Sequence, residues 1–270
     1  MYKLIVSDLD ETLINSQGVV SQENLRAIQK AQALGLKFVP ATGRSFNDFQ
    51  HILKMTGVHD LENEYAISYN GGVITENKHN RLLTSTALPF ELVEHIFDLG
   101  VKHDVLIHLF TLSDIHTLNM NSNEKEYLDG HIDLKLLDQP RITHLSASPI
   151  LKINFQHLNL EFLKEIEASL SKEIAETLDI NYSSNRYLEF NPRGVNKGNA
   201  LQQLITMLDV STDQILAIGD NMNDRTMIQL AGTGVAVANA VPELKELANY
   251  HCLNDHNHHA VAEAIERFIL

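Results

Sequence analysis

Two aspartates stand directly after the first apolar run of the chain. Residues 4–6 (Leu-Ile-Val) predict a buried parallel strand, and Asp8 and Asp10 follow it. In open α/β sheets, ligands bind at the carboxyl ends of the strands. Neighbouring carboxylates are costly to desolvate unless a cation joins them, and Mg²⁺ prefers oxygen ligands. The pair indicates a magnesium site, although for this pair alone a solvated polar turn is the simpler explanation.

Three further polar clusters occur beside predicted strand or helix ends. They are Thr42-Gly43-Arg44, Lys197 within residues 194–198, and the group Asp220, Asn223 and Asp224 after the apolar run 215–218. If the strands are parallel, their carboxyl ends share one edge of the sheet and the clusters converge. Phosphoryl transfer needs a nucleophile, a metal, fixed donors on the phosphate oxygens and a proton source. A carboxylate can be the nucleophile, so the four clusters together favour this chemistry.

Each of these residues also has a structural explanation. Asp224 or Thr42 could cap a helix, and Lys197 could be a solvated helix start. Arg44 could pair with a substrate phosphate or with a surface acid, and Asn70 could be a turn residue or line the site. Only the occurrence of all four clusters in one chain favours the functional explanation.

Composition excludes several partner classes. The chain has 270 residues and a net charge of −14, from 21 basic and 35 acidic residues, which argues against a nucleic-acid partner. No apolar run approaches membrane-spanning length, and the start does not have the pattern of a signal peptide. A single cysteine, Cys252, permits no internal disulfide, so the simple expectation is a cytoplasmic protein. The sequence indicates no particular oligomeric state.

The first part of the chain alternates strands and helices. Strands are predicted at residues 4–6, 36–39 and 65–69, with one helix over 24–34 after the N-cap Ser21 and another through Ile52 and Leu53. This β-α-β-α-β order is typical of a parallel doubly wound sheet.

The pattern changes between residues 84 and 186 and returns at 187. The middle stretch predicts helices at 91–101 and 160–170, with short strands at 105–110, 116–119, 151–155 and 180–183. Later segments predict helices over 197–208, 241–248 and 260–268, and strands at 214–218 and 234–237. We therefore expect an α/β protein with a doubly wound parallel-sheet (Rossmann-like) core, residues 1–83 plus 187–270, and an inserted α+β cap domain, residues 84–186.

The chain resembles the haloacid dehalogenase superfamily of phosphatases, specifically its Cof-type branch, because its motifs follow one another in the same order. The resemblance is carried by residues 8–13 (Asp-Leu-Asp-Glu-Thr-Leu), 41–44 (Ala-Thr-Gly-Arg), 197–201 (Lys-Gly-Asn-Ala-Leu) and 219–224 (Gly-Asp-Asn-Met-Asn-Asp). The turn Asn70-Gly71-Gly72 and the place of the insertion match as well. The inserted unit resembles the cap of that family, which closes over the site and contributes substrate contacts.

The resemblance implies a role for each matching residue. Asp8 is the implied nucleophile and a metal ligand, and Asp10 is the implied general acid and then base, with its main-chain carbonyl on the metal. Asp220 completes the implied Mg²⁺ ligands, and the supporting residue Asp224 is implied to hold either metal-bound water or Lys197. The groups implied to hold the phosphoryl oxygens are the Leu9 N–H, Thr42, Gly43, Lys197 and Asn223, with Arg44 and Asn70 as supporting residues.

Three places depart from the family pattern. Glu11 stands where many relatives have glycine, Arg225 stands where an apolar residue is usual, and residues 258–261 (His-His-Ala-Val) replace a common Asp-Gly-Val. We expect local loop changes from these departures and no loss of chemistry. The crowded histidines His256, His258 and His259 lack a second cluster with zinc-like spacing, so we expect solvated loop residues.

The sequence thus predicts a Mg²⁺-dependent phosphatase that acts on small phosphorylated metabolites. A phosphomutase is one alternative, because it also uses an aspartyl phosphate but returns the phosphoryl group to product. A non-catalytic phospho-accepting module of the receiver type is another, since it also joins acids, threonine and lysine around Mg²⁺. Receivers are much shorter and lack a large insertion, so the sequence disfavours this alternative.

Overall fold

The computed structural model of the protein describes residues 1–128 and 134–270. Its strands are β1 (Leu4–Ser7), β2 (Lys37–Pro40), β3 (Tyr65–Ser68), β4 (Val73–Glu76), β5 (Arg81–Ser85), β6 (Leu106–Phe110), β7 (Ile115–Leu118), β8 (Leu134–Leu136), β9 (Lys152–Gln156), β10 (Leu178–Ser183), β11 (Tyr187–Pro192), β12 (Ile215–Gly219), β13 (Thr233–Ala236) and β14 (Tyr250–His251). Its helices are α1 (Gln22–Ala33), α2 (Gln50–Met55), α3 (Phe90–Lys102), α4 (Ser122–Leu128), α5 (Leu160–Ala168), α6 (Lys172–Ala175), α7 (Lys197–Leu208), α8 (Arg225–Leu230), α9 (Pro242–Lys245) and α10 (Ala260–Phe268).

The chain divides into two compact units. The first unit contains Met1–Thr84 and Asn196–Leu270, and the second contains Ser85–Val195. The sequence predicts that the chain returns to the first unit at residue 187. Instead, β11 belongs to the second unit, where it pairs antiparallel with β9 and Leu188 lies opposite Phe155. The return therefore lies nine residues later (196 minus 187) than predicted. An apolar strand pattern does not indicate which sheet the strand joins, and this explains the error.

A five-stranded parallel sheet forms the centre of the first unit. Its strand order is β14-β13-β12-β1-β2, and β1 pairs with both β12 and β2. β2 lies on one side of β1, whereas β12, β13 and β14 follow one another on the other side, so the order in which strands are added reverses between β1 and β12. Right-handed crossovers then put α1 and α8 on opposite faces. The predicted α/β class with a doubly wound parallel sheet is confirmed.

The third predicted strand belongs to a different sheet. β3 pairs antiparallel with β4 in a three-stranded sheet, β3-β4-β5. Its link to β2 is one parallel bridge between Ala41 and Ile67, beside a hydrogen bond of 2.9 Å from the Thr42 N–H to the Ile67 carbonyl. The prediction that this strand continues the parallel sheet is wrong beyond that bridge, because the chain turns back at Asn70–Gly72 into β4.

The second unit is an α+β unit, as predicted. Its six-stranded sheet has the order β10-β11-β9-β6-β7-β8, antiparallel except between β7 and β8. Helices α3 and α5 pack on one face of this sheet through buried apolar side chains. The alternate residues of β9 and β11 are polar and buried, namely Lys152, Asn154, Gln156, Glu189 and Asn191. No helix within residues 1–128 and 134–270 is both long and apolar enough to cross a membrane.

Candidate active site

The site lies in the first unit, where the strand order reverses between β1 and β12. Asp8 follows β1 and Asp220 follows β12, so their carboxylates stand at the carboxyl ends of neighbouring parallel strands. The Asp8 N–H donates to the Ile218 carbonyl at 3.0 Å, which extends the pairing past β1. Each aspartate is only 5% exposed. A reversal of this kind is where open α/β sheets bind ligands.

The turn after β1 fixes the main chain around Asp8 and Asp10. The Leu9 carbonyl accepts hydrogen bonds from the N–H groups of Leu13 and Ile14 at 3.0 and 2.8 Å, and the Leu9 side chain is fully buried. The segment therefore leaves the strand in one defined direction and presents its polar groups at the sheet edge.

Lys197 connects two of the acids. The Asn196 side chain accepts a hydrogen bond from the Asn199 N–H at 2.9 Å and caps α7, which makes Lys197 the first residue of the helix. Its side chain is fully buried, and Nζ lies 2.5 Å from Oδ1 of Asp8 and 2.5 Å from Oδ1 of Asp224. The explanation of Lys197 as a solvated helix start is therefore wrong.

Asp224 both caps its turn and holds the lysine. Its Oδ2 accepts the main-chain N–H groups of Asp220 and Asn221 at 2.9 and 3.1 Å, while Oδ1 contacts Lys197. A Cβ atom on Gly219 would lie 2.5 Å from Oδ2 of Asp224, so only glycine allows this close approach. The carboxylate thus belongs to the capping box of the 3₁₀ turn Met222–Asp224, whereas it makes no capping hydrogen bond to α8. The same carboxylate also fixes the position of the Lys197 ammonium.

Thr12 is a site residue that the sequence analysis missed. Its buried hydroxyl donates to Oδ1 of Asp220 at 2.8 Å, so it orients that carboxylate. The available signal was its place within the motif of residues 8–13, which also contains Asp8 and Asp10.

Burial and mutual repulsion perturb the ionisation of the acids. Burial, together with the charges of Asp224 and Asp10, raises the pKa of Asp8 to about 7 although Lys197 opposes the shift. Burial and the charges of Asp8 and Asp224 raise the pKa of Asp220 to about 9. Burial acts to lower the pKa of Lys197, but Asp224 and Asp8 outweigh it and raise that pKa. The cluster thus has more negative charge than Lys197 balances.

The donor set fits a hard divalent cation. Asp8, Asp220 and Asp224 each offer a carboxylate oxygen, and these oxygens lie within 4.8 Å of one another. Both oxygens of Asp224 already accept hydrogen bonds, so Asp8 and Asp220 are the better ligands. A cation such as Mg²⁺ would relieve the repulsion that raises their pKa values.

The structure brings together three of the residues predicted to hold the phosphoryl oxygens, Thr42, Gly43 and Asn223, with the two supporting residues Arg44 and Asn70. The Thr42 carbonyl accepts the Asn70 N–H at 2.9 Å, and the Thr42 hydroxyl accepts the Arg44 N–H at 3.1 Å. The Asn223 side chain donates to Oδ1 of Asn70 at 3.4 Å. A Cβ on Gly43 would lie 3.1 Å from the same Oδ1 atom, so the turn packs tightly against Asn70. Asn70 has φ 54°, a left-handed conformation that asparagine tolerates.

Arg44 pairs with Asp10 outside the buried cluster. Its Nε donates to Oδ2 of Asp10 at 2.9 Å, and its Nη2 contacts Oδ1 of the same carboxylate. The two side chains are 35% and 51% exposed. The partner of Arg44 is thus an acid, and this acid is the predicted general acid.

Comparison with known proteins decides the family. The family model of haloacid dehalogenase-like hydrolases matches residues 5–265. The chain belongs to the haloacid dehalogenase-like hydrolases. It is a phosphoric monoester hydrolase of the Cof-type branch.

Individual relatives agree with this assignment over nearly the whole chain. The chain is 32% identical to YxeH of Bacillus subtilis (strain 168), over 100% of this chain and 99% of that protein. It is 31% identical to the HMP-PP phosphatase of Yersinia pseudotuberculosis, over 91% of this chain and 87% of that protein. A solved haloacid dehalogenase-like hydrolase from B. subtilis superposes with a TM-score of 0.87 at 26% identity, covering 99% of this chain and 100% of that one.

The departures from the pattern of haloacid dehalogenase-like hydrolases lie in turns and at the surface. Glu11 is exposed and has φ 58°, a conformation that glycine adopts more easily. Arg225 is the exposed first residue of α8. The histidines lie in and after the short 3₁₀ turn His256–His258. The buried carboxylate–lysine cluster contains none of these residues.

Proposed function

We propose that the protein hydrolyses small phosphate monoesters with the help of Mg²⁺, through an aspartyl phosphate on Asp8. One observation carries the proposal: the Lys197 ammonium lies 2.5 Å from Oδ1 of Asp8 in a buried cluster at the strand-order reversal. Such a lysine keeps the carboxylate oriented and partly neutralised, and it offers positive charge to an incoming phosphoryl group.

Asp8 and Asp220 hold the metal in this proposal, with the main-chain carbonyl of Asp10. Lys197 contacts Oδ1 of Asp8 and Thr12 contacts Oδ1 of Asp220, so we assign the second oxygen of each carboxylate to the cation. When bound, Mg²⁺ supplies neutralisation of phosphate charge. Asp224 keeps Lys197 in place.

Phosphoryl transfer then proceeds in two displacements. A carboxylate oxygen of Asp8 forms a bond to phosphorus, the ester P–O bond breaks, and the carboxyl of Asp10 gives its proton to the leaving oxygen. Asp10 next takes a proton from water as the water oxygen attacks phosphorus. The bond between phosphorus and Asp8 breaks, and inorganic phosphate leaves. The groups that hold the phosphoryl oxygens are the Leu9 N–H, Thr42, Gly43, Lys197 and Asn223.

The proposed substrates are sugar phosphates or phosphorylated cofactors. The similarity to an HMP-PP phosphatase supports a small phosphorylated substrate. We assign discrimination among metabolites to the second unit, whose sheet carries the row of buried polar side chains on β9 and β11. We also propose that the protein lies in the cytoplasm, because its single cysteine forms no internal disulfide.

Release of inorganic phosphate from a panel of phosphorylated metabolites tests the function and separates it from that of a phosphomutase. We expect Asp8→Asn to abolish turnover while circular dichroism shows an intact fold, since an amide is a poor nucleophile. Asp213→Asn is the matched control, because Asp213 is exposed and lies outside the four motifs. Chelation should stop turnover and Mg²⁺ should restore it. Near-normal turnover by Asp8→Asn, or full activity in chelator, would refute the proposal.

A further inference from the structure

Glu11 lies in a backbone conformation that needs support. Its φ of 58° is left-handed, and residues with a Cβ atom rarely keep that conformation without compensating contacts. The peptide group between Asp10 and Glu11 carries the carbonyl of Asp10. If Glu11 relaxed to an ordinary conformation, that peptide would rotate and change the direction of Asp10.

Asn239 supplies a contact to this turn. Its Nδ2 donates to the Glu11 carbonyl at 2.8 Å, and its Oδ1 accepts the N–H of His256 at 3.0 Å. Both ends of the amide side chain are thus engaged, one with the turn that follows Asp10 and one with residues 254–259, the histidine-rich loop.

The segment around Asn239 is itself anchored on both sides. The Val241 N–H donates to the Asp220 carbonyl at 2.9 Å, and the Ala238 N–H donates to the Asn254 carbonyl at 3.0 Å. Residues 238–241 therefore join the end of β12 to the histidine-rich loop. Since Asp220 is held within this arrangement, Asn239 approaches the Glu11 turn from a fixed position.

The histidine-rich loop also contacts the chain beyond the turn. The Ser16 N–H donates to Oδ1 of Asn257 at 3.0 Å, and the Ser16 hydroxyl lies 3.0 Å from Nε2 of His256. The loop thus reaches the segment 10–16 directly at Ser16 and through Asn239 at Glu11. This gives a structural role to histidines that the buried cluster does not use.

We propose that Asn239, held by residues 254–257, is a positioning residue for the turn Asp10–Thr12. It keeps Glu11 in its left-handed conformation and so keeps Asp10 directed for proton transfer. The proposal rests on the acid/base role assigned to Asp10 above. Asn239 acts through Glu11 and touches neither the substrate nor the metal.

A double-mutant cycle between Asn239 and Glu11 tests the proposal, with the single-turnover rate of aspartyl-phosphate formation from glycerol 3-phosphate and from para-nitrophenyl phosphate as readouts. Asn239→Leu removes both hydrogen bonds at similar size and without charge. We expect the rate with glycerol 3-phosphate to fall about fivefold, as for one net hydrogen bond. The fall with para-nitrophenyl phosphate should be smaller, because a nitrophenolate hardly needs the proton.

Glycine at position 11 should remove the need for Asn239. We expect Glu11→Gly to retain activity, and Glu11→Gly with Asn239→Leu to stay within about twofold of Glu11→Gly alone, a non-additive result. Asn239→Asp, which keeps the acceptor for His256 but loses the donor to Glu11, should behave like Asn239→Leu. His258→Gln is the control, since the side chain of His258 pairs with Asp255 within its own loop.

Additive losses in the cycle, or wild-type rates for Asn239→Leu with both substrates, would overturn the proposal. Equal losses with both substrates and a lowered melting temperature would also overturn it, because they indicate a merely structural role. Asp10→Asn in the same assay separates a failure of the acid/base assignment of Asp10 from a failure of the role proposed for Asn239. If that variant slows both substrates equally, the acid/base assignment fails, whereas the cycle still reports whether Asn239 supports the Glu11 turn.

Discussion

The guanidinium of Arg44 holds both carboxylate oxygens of Asp10, with Nε 2.9 Å from Oδ2 and Nη2 against Oδ1. A two-point contact fixes the plane of the carboxylate as well as its position. Arg44 is the fourth residue after β2, and Asp10 is the third residue after β1. The pairing of these two strands therefore sets the direction of the proposed acid.

Replacing Arg44 by lysine should weaken proton transfer. Lysine keeps the charge but cannot make the planar two-point contact, so Asp10 loses its fixed direction. We expect formation of the aspartyl phosphate from alkyl phosphates to slow on the order of tenfold, with a smaller effect on para-nitrophenyl phosphate. Single-turnover kinetics on both substrates measures this step. Arg225→Lys, at an exposed position, should leave both rates unchanged. Unchanged rates in Arg44→Lys would show that the contact does not serve catalysis.

Asp10→Asn should separate the two chemical steps. A positioned acid/base contributes on the order of a hundred- to ten-thousand-fold in rate. Formation of the aspartyl phosphate should slow far more with alkyl phosphates than with para-nitrophenyl phosphate. Its hydrolysis should slow for both, so that the intermediate accumulates with the activated ester. Single-turnover kinetics resolves the steps. Equal slowing of the first step, or loss of Mg²⁺ binding, would place the acid/base on another residue.

The stabilisation by Mg²⁺ should increase with pH. Without a divalent ion, the folded-state pKa values of Asp8 and Asp220, about 7 and about 9, lie above the ordinary 3.8. The folded chain then binds more protons than the unfolded chain, and this contribution to stability is lost as the pH rises through these values. Because Mg²⁺ competes with the protons, it should raise the melting temperature more at about pH 8.5 than at about pH 6.

Thermal unfolding with chelator and with Mg²⁺ at both pH values checks this. At each pH, the difference in melting temperature with and without Mg²⁺ cancels the contribution of titrating groups far from the metal, such as the surface histidines. Asp220→Asn removes one of the two carboxylates and should reduce the pH dependence of the Mg²⁺ effect. An Mg²⁺ effect that is the same at both pH values would mean that these carboxylates do not hold the ion.

Thr12→Val should weaken metal binding. Valine has nearly the same shape but cannot donate to Oδ1 of Asp220, which the Thr12 hydroxyl contacts at 2.8 Å. Loss of such an orienting partner typically costs about ten- to hundredfold in metal affinity. The Mg²⁺ concentration for half-maximal activity should rise accordingly, with less effect on the rate at saturation. Thr206→Val, on the exposed side of α7, is the control. An unchanged Mg²⁺ requirement would contradict the orienting role.

The sequence by itself determined the parts of the molecule that depend on local pattern. Apolar runs followed by acids predicted β1 and β12 and placed Asp8 and Asp220 at their carboxyl ends. Helical spacing predicted α1, with Ser21 as its N-cap, and it predicted α3 and α5 in the inserted unit. Such signals are strong because the residues that make them lie within one or two turns of each other.

Only the tertiary structure decided which distant segments meet. β3 and β11 have ordinary strand patterns, but their partners are β4, β9 and β10, a choice made by register and packing across the chain. The pair Arg44–Asp10 and the contact Asn239–Glu11 likewise join segments with no shared local signal. A hydrogen bond needs its two atoms within about 3 Å, and for distant residues only the folded backbone sets that distance.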